Sequence, residues 1–420
     1  MTSPAHTPFN AINDLAARWI ATLPNKATVF SPVGVWPVLA ILADAATDDV
    51  KADLEEALCF KETRERDLSD AALRTLEFLD KNELLDAAVA VWVSKKLGVK
   101  EEWLGRLPEA SRGLLTKTPR DKAVLDQWAR AHTRDIFTSF PATIEKIDDM
   151  VLASAIALNM RWPKPFHLAE GGRLKTSMRG LDIIRTTEGI TTVRIRGIKT
   201  QRSWGPSPSV DCFLVIGEPD AVAAEVLSRG HALVRKYGTL PTTYKEALEM
   251  SGPSLTRRVR ENHRKADNEE PFISISTRGF KVEAKHDLLR NGVFGLERAS
   301  SQASERSEHF PGITDSPLWV NGASQSALAR FHSEGFSAAA ITTFSGKGAA
   351  RPRPGRALFL DINIDRPFGF LCIESESKVV AFAGWVTEEE FMDNEDDLKL
   401  NKRLKTEPDS EEDEETTDDE

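Results

Sequence analysis

No group of side chains in this chain has the spacing of a known catalytic or metal site. The sequences GxSxG, HExxH, GxGxxG and the Walker motif are all absent. The eight histidines are scattered, and we interpret His332, beside Glu334, as a surface residue. We therefore predict no catalytic residue, no metal site and no cofactor, and we do not expect an enzyme.

The segment from Glu334 to Gly346 has instead a composition that suits a change of structure. It reads Glu-Gly-Phe-Ser-Ala-Ala-Ala-Ile-Thr-Thr-Phe-Ser-Gly, and a stretch rich in Gly, Pro and Arg follows it. Gly335 can supply unusual dihedral angles for a hinge. The small side chains after it would fit closely between neighbouring strands, so the segment could leave one structure and enter another.

A basic patch lies between predicted elements, and it comprises Arg257, Arg258, Arg260, His263, Arg264 and Lys265. Such a patch could bind a polyanion, but no aromatic residues interleave with it and residues 1–392 are neutral overall. A solvated surface is the simpler interpretation. We keep a polyanion partner at Arg257, Arg258, Arg260, Arg264 and Lys265 as the alternative.

Hydrophobic periodicity predicts helices early in the chain and strands late in it. Helical spacing covers residues 9–23, the segment after Ser31-Pro32, Asp48–Leu58 and residues 121–137. Strand-like runs are Ala87–Val93, Ile190–Ile195, Val210–Ile216, Phe272–Ile275, Phe280–Ala284, Phe359–Ile364, Gly369–Ile373 and Val379–Val386. This order predicts an α+β fold and argues against alternating βαβ units.

The charge of the chain is concentrated at one end. Residues 393–420 carry 14 acidic and 4 basic residues, a balance of −10 that equals the net charge of all 420 residues. This segment has almost no apolar side chains, so we expect a disordered acidic tail. Cys59, Cys212 and Cys372 are too few and too scattered for a disulfide framework, which favours buried thiols in a reducing compartment.

Seven segments, taken in order over about residues 8–390, resemble the serpin family of protease inhibitors. They are Val29–Val33; Leu125–Trp128 with Thr133; Leu152–Asn159 with Arg161–Phe166; Phe280–Ala284 with His286–Leu288; His309–Ile313; Asp365–Phe368; and Phe382–Val386. The Glu334–Ala340 segment resembles the family's reactive-centre hinge. Arg-Pro-Phe alone would mean little, but seven matches in order are specific.

The resemblance implies a serpin domain over residues 1–392, with three β-sheets, eight or nine helices and an exposed reactive-centre loop at about 335–358. It further implies a monomeric suicide inhibitor of serine, or alternatively cysteine, proteases. The target cleaves the loop, and the freed segment inserts as a new strand of the central sheet. The alternative is a non-inhibitory serpin-fold protein with a binding or chaperone-like role.

Two departures from the family pattern concern this choice. In the hinge, Phe336 stands where a small residue is usual, and overpacking the sheet with its ring would commonly cost about 1–3 kcal/mol. The hinge residues are Glu334, Gly335, Phe336, Ser337, Ala338, Ala339 and Ala340. The cluster that controls sheet opening would comprise Ser31, Gly34, Ser154 and Gln325. Gly34, Ser154 and Gln325 replace a serine, an asparagine and a histidine there, and a bond between Gln325 and Ser154 could rewire it.

The family's spacing from the hinge puts the scissile bond at Ala349-Ala350, which predicts an elastase- or subtilisin-like target. Counting back from Pro367 gives Arg356-Ala357, and Lys347-Gly348 is a further basic alternative. The difference between the two counts indicates a loop about seven residues longer than usual.

Localisation and origin rest on weaker features of the sequence. No run of 18 apolar residues predicts a membrane span, and the N-terminus lacks a secretory pattern, so we expect a cytoplasmic, bacterial-type protein. If the source is eukaryotic, residues 399–405 before the acidic run could instead act as a nuclear signal.

Overall fold

The computed structural model describes residues 8–60, 67–116, 118–140, 149–199, 209–237, 243–263, 270–300, 309–336 and 355–392. The helices are α1 Phe9–Ala21, α2 Pro32–Ala45, α3 Asp48–Ala57, α4 Leu68–Lys81, α5 Glu101–Arg106, α6 Arg120–His132, α7 Ala223–Tyr237 and α8 Tyr244–Glu249. Among the described residues, none of these helices has the length and apolarity needed to cross a membrane.

The strands of the first half are β1 Thr28–Phe30, β2 Leu85–Ser94, β3 Arg112–Leu115, β4 Met150–Leu158, β5 Met160–Arg161, β6 His167–Ala169, β7 Arg173–Arg179, β8 Ile184–Thr187 and β9 Ile190–Ile198. Those of the second half are β10 Ser209–Gly217, β11 Leu255–His263, β12 Phe272–Arg278, β13 Phe280–Asp287, β14 Gly322–Phe331, β15 Gly335–Phe336, β16 Gly355–Asn363, β17 Phe368–Glu374 and β18 Val380–Val386.

The N-terminal helices form where the apolar periodicity predicts them. In α1, Ile12, Leu15 and Trp19 are buried on one face. The helix α2 begins at Pro32, as expected for proline in a first helical turn. It is buried along its length except at Asp44, which agrees with its apolar composition.

Two hydrogen-bonded sheets contain the strands. One has thirteen strands in the order β1-β18-β17-β10-β9-β5-β15-β14-β4-β2-β3, with β13 on β14 and β8 on β9. A single residue pair, Arg161 with Ile198, joins β5 to β9. If the thirteen strands are divided at this link, they form two sheets. The separate five-stranded sheet is the third, so the three predicted sheets are present. The predicted α+β class and the three predicted sheets are therefore confirmed.

The second sheet has five strands in the order β11-β16-β12-β7-β6. Its edge strand β11 pairs antiparallel with β16, from Leu255 with Ile362 to His263 with Gly355. The sequence-based interpretation of residues 257–263 as a patch between elements is wrong. The strand lacks an alternating apolar pattern because it lies at an edge, where most of its side chains are exposed.

One hydrophobic core connects α1, α2 and the strands of both sheets. The central helix α2 contacts α1, α3, α4 and the strands β2, β4 and β18. Cys212 and Cys372 face each other across β10 and β17, and both are buried free thiols. Burial raises the pKa of Cys372, and Cys59 is only half-buried.

Candidate functional site

The candidate site begins with a pair of neighbouring parallel strands in the large sheet. Seven residues of β14, from Gly322 to Leu328, pair in continuous register with Val151 to Ala157 of β4. We call this paired region the seam. Side chains of β14 alternate along it, and Ala323, Gln325 and Ala327 point to the buried face. No strand lies between β4 and β14 over these residues.

A polar cluster of Ser31, Ser154 and Gln325 ties the middle of the seam to the start of α2. The Ser31 backbone N–H donates to Gln325 Oε1 at 2.7 Å, and Gln325 Nε2 donates to the Ser31 carbonyl at 2.8 Å. The same Nε2 donates to Ser154 Oγ at 3.3 Å across the seam, which is the rewired bond that the sequence suggested. Ser31 and Gln325 are fully buried, so these bonds replace lost water contacts.

Gly34 leaves room for the hydrogen bonds of this cluster. A Cβ at residue 34 would lie 2.7 Å from Ser154 Oγ and 3.2 Å from Gln325 Nε2. The serine that the family pattern predicts there would collide with the present hydrogen bonds. The exchanges at residues 34, 154 and 325 therefore depend on one another. A single sequence could not show that dependence.

The hinge follows β14 through a turn whose backbone is held by the segment after β5. The Trp162 N–H donates to the Glu334 carbonyl at 2.9 Å, and the Phe166 N–H donates to the Ser333 carbonyl at 2.8 Å. The chain then reverses, so that Phe336 pairs with Phe331 of β14 on one side and with Met160 of β5 on the other.

The expectation that Gly335 supplies unusual dihedral angles is wrong. Its φ does not lie in the positive region, where glycines such as Gly295 are found. The residue is glycine because a Cβ there would overlap the Met160 carbonyl oxygen and lie 2.9 Å from Arg161 Cα. Close approach of two backbones, and not backbone conformation, explains this residue.

Phe336 is completely buried in a cluster of aromatic rings at the top of the seam. Its ring centroid lies 5.8 Å from Phe370, 6.0 Å from both Phe280 and Phe331, and 6.2 Å from Trp162. Three of these contacts are edge-on, a favourable geometry for aromatic pairs. The large side chain therefore has a fitted site in this structure, which the sequence did not reveal.

The interpretation of His332 as a surface residue is wrong, because its side chain is fully buried. Its Nδ1 accepts from the Glu334 N–H at 3.3 Å, while Nε2 has no hydrogen-bond partner. Burial, with smaller contributions from Arg330 and Arg161, lowers the pKa of His332 to about 4. The ring is therefore neutral at physiological pH.

Several residues of the predicted loop lie outside the described residues. They are Ser337, Ala338, Ala339, Ala340, Lys347, Ala349 and Ala350. Arg356 is described, and it lies in β16 with its guanidinium 3.3 Å from Glu261. The next residue, Ala357, is buried and pairs with Arg260 of β11.

The predicted basic patch is divided by its strand. Arg258 and Arg260 point to the outer face of the five-stranded sheet, whereas Arg257 points to the other face. Arg264 and Lys265 lie outside the described residues. No aromatic residue interleaves with the patch in the sequence, but in the fold the Arg260 guanidinium lies 5.3 Å from the Phe359 ring. That ring belongs to a strand about 100 residues later, which no local pattern could show.

Among the described residues, no group of three His, Cys, Asp or Glu side chains could hold a metal ion. Within the described part of the chain, a cavity of about 630 Å³ lies between β3 and α6, beside Trp92 and Val124. Its lining includes none of the hinge or polar-cluster residues.

Comparison with known proteins agrees with this architecture. A family model described as serpin (serine protease inhibitor) matches residues 9–172. Plasminogen activator inhibitor 1 of Sus scrofa and that of Bos taurus are each 24% identical over 153 residues, which cover 34% of this chain and 38% of each relative. The matched part is thus well under half of these relatives.

Three solved structures extend the likeness along the chain. Human thyroxine-binding globulin complexed with thyroxine gives a TM-score of 0.64 at 17% identity, over 90% of this chain and 96% of that one. Serpin48 of the insect Tenebrio molitor gives 0.64 at 16%, over 90% and 97%. Tengpin, a thermophilic serpin in its native state, gives 0.67 at 14%, over 91% and 94%.

The three solved structures share so little sequence identity with this chain that they support only the fold. The family model supports the resemblance in sequence over residues 9–172. The two findings agree with each other and with the seam and hinge described above. The resemblance to the serpin family is therefore confirmed, and the chain has the serpin fold.

Proposed function

We propose that this chain is a monomeric serpin-type protease inhibitor that acts as a suicide substrate. A serine protease of the elastase or subtilisin kind attacks a carbonyl carbon of the loop between β15 and β16. The amide C–N bond breaks, the new amino terminus leaves, and an ester links the loop to the protease. The freed segment after Phe336 then inserts between β4 and β14, so this chain supplies no catalytic group.

The observation that carries the proposal is the register of β15. Phe336 already pairs with Phe331 of β14 and with Met160 of β5, antiparallel to both. Continued in this register, Ala338 would pair with Ala329 and Leu158, and Ala340 would pair with Ala327 and Ile156. Ala327 and Ile156 are themselves partners in the present seam. A strand that continues β15 therefore needs no shift of register in β4 or β14.

The same register decides which side chains would be buried. Phe331 and Ala329 point to the buried face of β14, so Phe336, Ala338, Ala340 and Thr342 would point to it as well. Ala338, Ala340 and Thr342 have small or medium side chains, and the Phe336 ring already occupies its buried site. The intervening residues, such as Ala339, would face outward.

Thr342 would arrive at the polar cluster, opposite Gln325 and Ser154. The bond between those two side chains spans the seam, and it must break when a strand enters between them. The threonine hydroxyl could then bond either partner, which would limit the cost of breaking it. We infer that the polar cluster holds the seam closed until cleavage.

The position of Arg356 supports the scissile bond at Ala349-Ala350 over the bond at Arg356-Ala357. Arg356 lies within β16, and Ala357 is buried and paired with β11. A protease could cleave there only after β16 had been separated from β11. Ala349 and Ala350 precede β16 by several residues. This assignment favours a protease that accepts alanine.

A non-inhibitory binding role is the second candidate, and the hydrogen bond between Gln325 and Ser154 favours it. This bond joins β14 to β4 across the seam, and it resists the separation of the two strands that insertion requires. Thyroxine-binding globulin, whose fold is similar, is known in complex with thyroxine. In that case, cleavage of the loop would not be followed by insertion.

The test is to mix the chain with subtilisin or elastase and to run a denaturing gel. We expect a complex that resists SDS, with a mass near the sum of the two proteins. Ala338→Arg should abolish the complex, because it places an unpaired charge on the buried face. Ala339→Arg is the matched control, and it should form the complex as the wild type does because its side chain would face outward.

Cleavage without any complex, for every protease tried, would refute the inhibitory function and favour the binding role. Equal loss of the complex in Ala338→Arg and Ala339→Arg would refute the register that we infer from β15.

A further inference from the structure

The outer face of the five-stranded sheet carries a concentration of positive charge. Its cationic side chains come from three strands and point the same way, since paired residues share a face. We call these six residues the cationic face, and they are Arg173, Lys175, Arg179, Arg258, Arg260 and Arg278. Asp361 is the one carboxylate that the paired residues of β7, β12, β16 and β11 place on this face.

One end of the cationic face is built on stacked aromatic rings. Phe272 of β12 and Phe359 of β16 stack with centroids 4.9 Å apart and planes 15° apart. The Arg179 guanidinium lies 4.4 Å from the centroid of Phe272, and that of Arg260 lies 5.3 Å from Phe359. The rings hold these guanidinium groups in place, so less side-chain freedom is lost when they bind an anion.

Much of this charge is not neutralised within the described part of the chain. Arg258 pairs with Asp361 at the surface. Lys175, Arg260 and Arg278 form no ion pair with any described carboxylate. An exposed face with several uncompensated cations attracts anionic segments over distances of about 8–10 Å at physiological ionic strength.

The chain leaves the described structure beside this same face. The Met392 N–H donates to the Gly279 carbonyl at 2.8 Å, directly after the end of β12. The Arg278 guanidinium lies 5.8 Å from the centroid of the Phe391 ring. Residues 393–420 therefore start at the Arg278 end of the cationic face, and the stacked rings mark the other end.

The length and charge of the following segment fit this geometry. Residues 407–420 contain ten acidic residues and no basic one. The six residue steps from Arg278 to Phe272 span about 20 Å at ~3.3 Å per residue. A chain of about 15 residues, from 392 to 407, would have a root-mean-square length of roughly 21 Å if it behaved as a random coil. Effective concentration is highest when linker length and span agree.

We propose that residues 407–420 dock on the cationic face of their own chain, against Arg179, Arg258 and Arg260. The occupant is the acidic segment, because it is tethered at the right distance and has the opposite charge. An external polyanion could reach the face only by displacing this segment. The tail is thus a competitor built into the chain, and not merely a solubilising extension.

The test measures the reactivity of Arg260 toward phenylglyoxal in the full-length protein, by mass spectrometry. In one variant, the ten acids of 407–420 are changed to Asn or Gln. We expect Arg260 to react at least about threefold faster in that variant than in the wild type at low salt, because a tethered ligand occupies most of its site. In 0.5 M NaCl, where screening extends only a few ångströms, the two rates should converge.

Two internal controls make the comparison specific. Neutralising the four acids of 393–397 instead should leave the Arg260 rate unchanged, because those residues directly follow Met392, which lies at the opposite end of the face. Arg290, whose side chain is 88% exposed in another part of the fold, should react equally in every variant. All changes fall after Met392, so they leave every described contact in place.

A heparin column distinguishes the tail from an external polyanion. The variant neutralised at 407–420 should elute at higher salt than the wild type, and Arg258→Gln with Arg260→Gln should remove that gain. Equal rates of Arg260 modification in wild type and variant at low salt would overturn the proposal. The proposal would also be overturned if the wild type and the variant neutralised at 407–420 eluted from heparin at the same salt concentration. The same holds if the variant still eluted at higher salt after the substitutions Arg258→Gln and Arg260→Gln.

Discussion

The burial of Phe336 allows a sharp test of whether the hinge has already reached its final place. Its ring touches four aromatic neighbours and is fully buried, so Phe336→Ala should cost about 3–5 kcal/mol of the free energy of unfolding. If the register of β15 is continued on insertion, the ring stays in the same site after cleavage. The loss should therefore be equal in intact protein and in protein cut between residues 344 and 354.

The expected size of the effect follows from the chain length. With an unfolding entropy of about 2.1 cal/mol/K per residue over the serpin domain, a loss of 3–5 kcal/mol lowers Tm by about 4–6 °C. Phe336→Leu is the matched control, since it keeps an apolar side chain of similar volume and should cost less than about 1.5 kcal/mol.

The measurement is a pair of melting curves, intact and cleaved, for wild type and both variants, followed by circular dichroism. Cleaved wild type should melt above the intact protein, and Phe336→Ala should lower both transitions by the same amount. If it lowers only the intact transition, the ring must leave its site when the loop inserts, and the register argument fails. If cleavage does not raise Tm in any of the three, the segment after the hinge does not insert.

Three further predictions concern the seam and the hinge. Gln325→Ala should lower the free energy of unfolding by about 2–4 kcal/mol in urea, because it leaves the Ser31 N–H and carbonyl buried without partners; a loss below about 1 kcal/mol would contradict the assigned bonds. Gly34→Ser should cost about 1–3 kcal/mol, and Ser154→Ala in the same chain should recover most of it, whereas no recovery would mean that the two residues do not collide. The pKa of His332 is about 4 in the folded state and about 6.5 in the unfolded state, so the unfolded state takes up the proton first as the pH falls. The free energy of unfolding is therefore undiminished above pH 6.5 and decreases by up to about 3 kcal/mol as the pH falls toward 4. His332→Asn should make the urea midpoint nearly independent of pH across that range.

Periodicity predicted several of the elements that have a regular apolar pattern. The helix α2 and the strands β9, β10, β17 and β18 lie close to where periodicity placed them, because their burial leaves a period in the sequence. Periodicity does not predict the edge strand β11, which has no such period. It also does not predict the buried strand β4 or the amphipathic helices α4 and α7, so local pattern reports only part of the core.

The sequence predicted which residues belong to the candidate site, but not how their side chains contact one another. Resemblance to a family located Gln325 and Phe336, but only the coordinates show that Gln325 binds the Ser31 backbone and that Phe336 has an aromatic pocket. His332 was misjudged because its polarity suggested the surface, whereas the turn after β14 is packed under Trp162. Contacts between distant segments leave no mark in a single sequence.

The placement of β11 has a consequence for how copies of this chain meet each other. An unpaired strand edge is a template for self-association, and β16 would offer such an edge if β11 did not cover it. The new edge carries Arg257, Arg258 and Arg260 within four residues. Antiparallel pairing of two such edges would set arginine against arginine, and like charges placed opposite each other are destabilising. We therefore expect this side of the molecule to resist edge-to-edge aggregation, even at concentrations where uncharged strands would join.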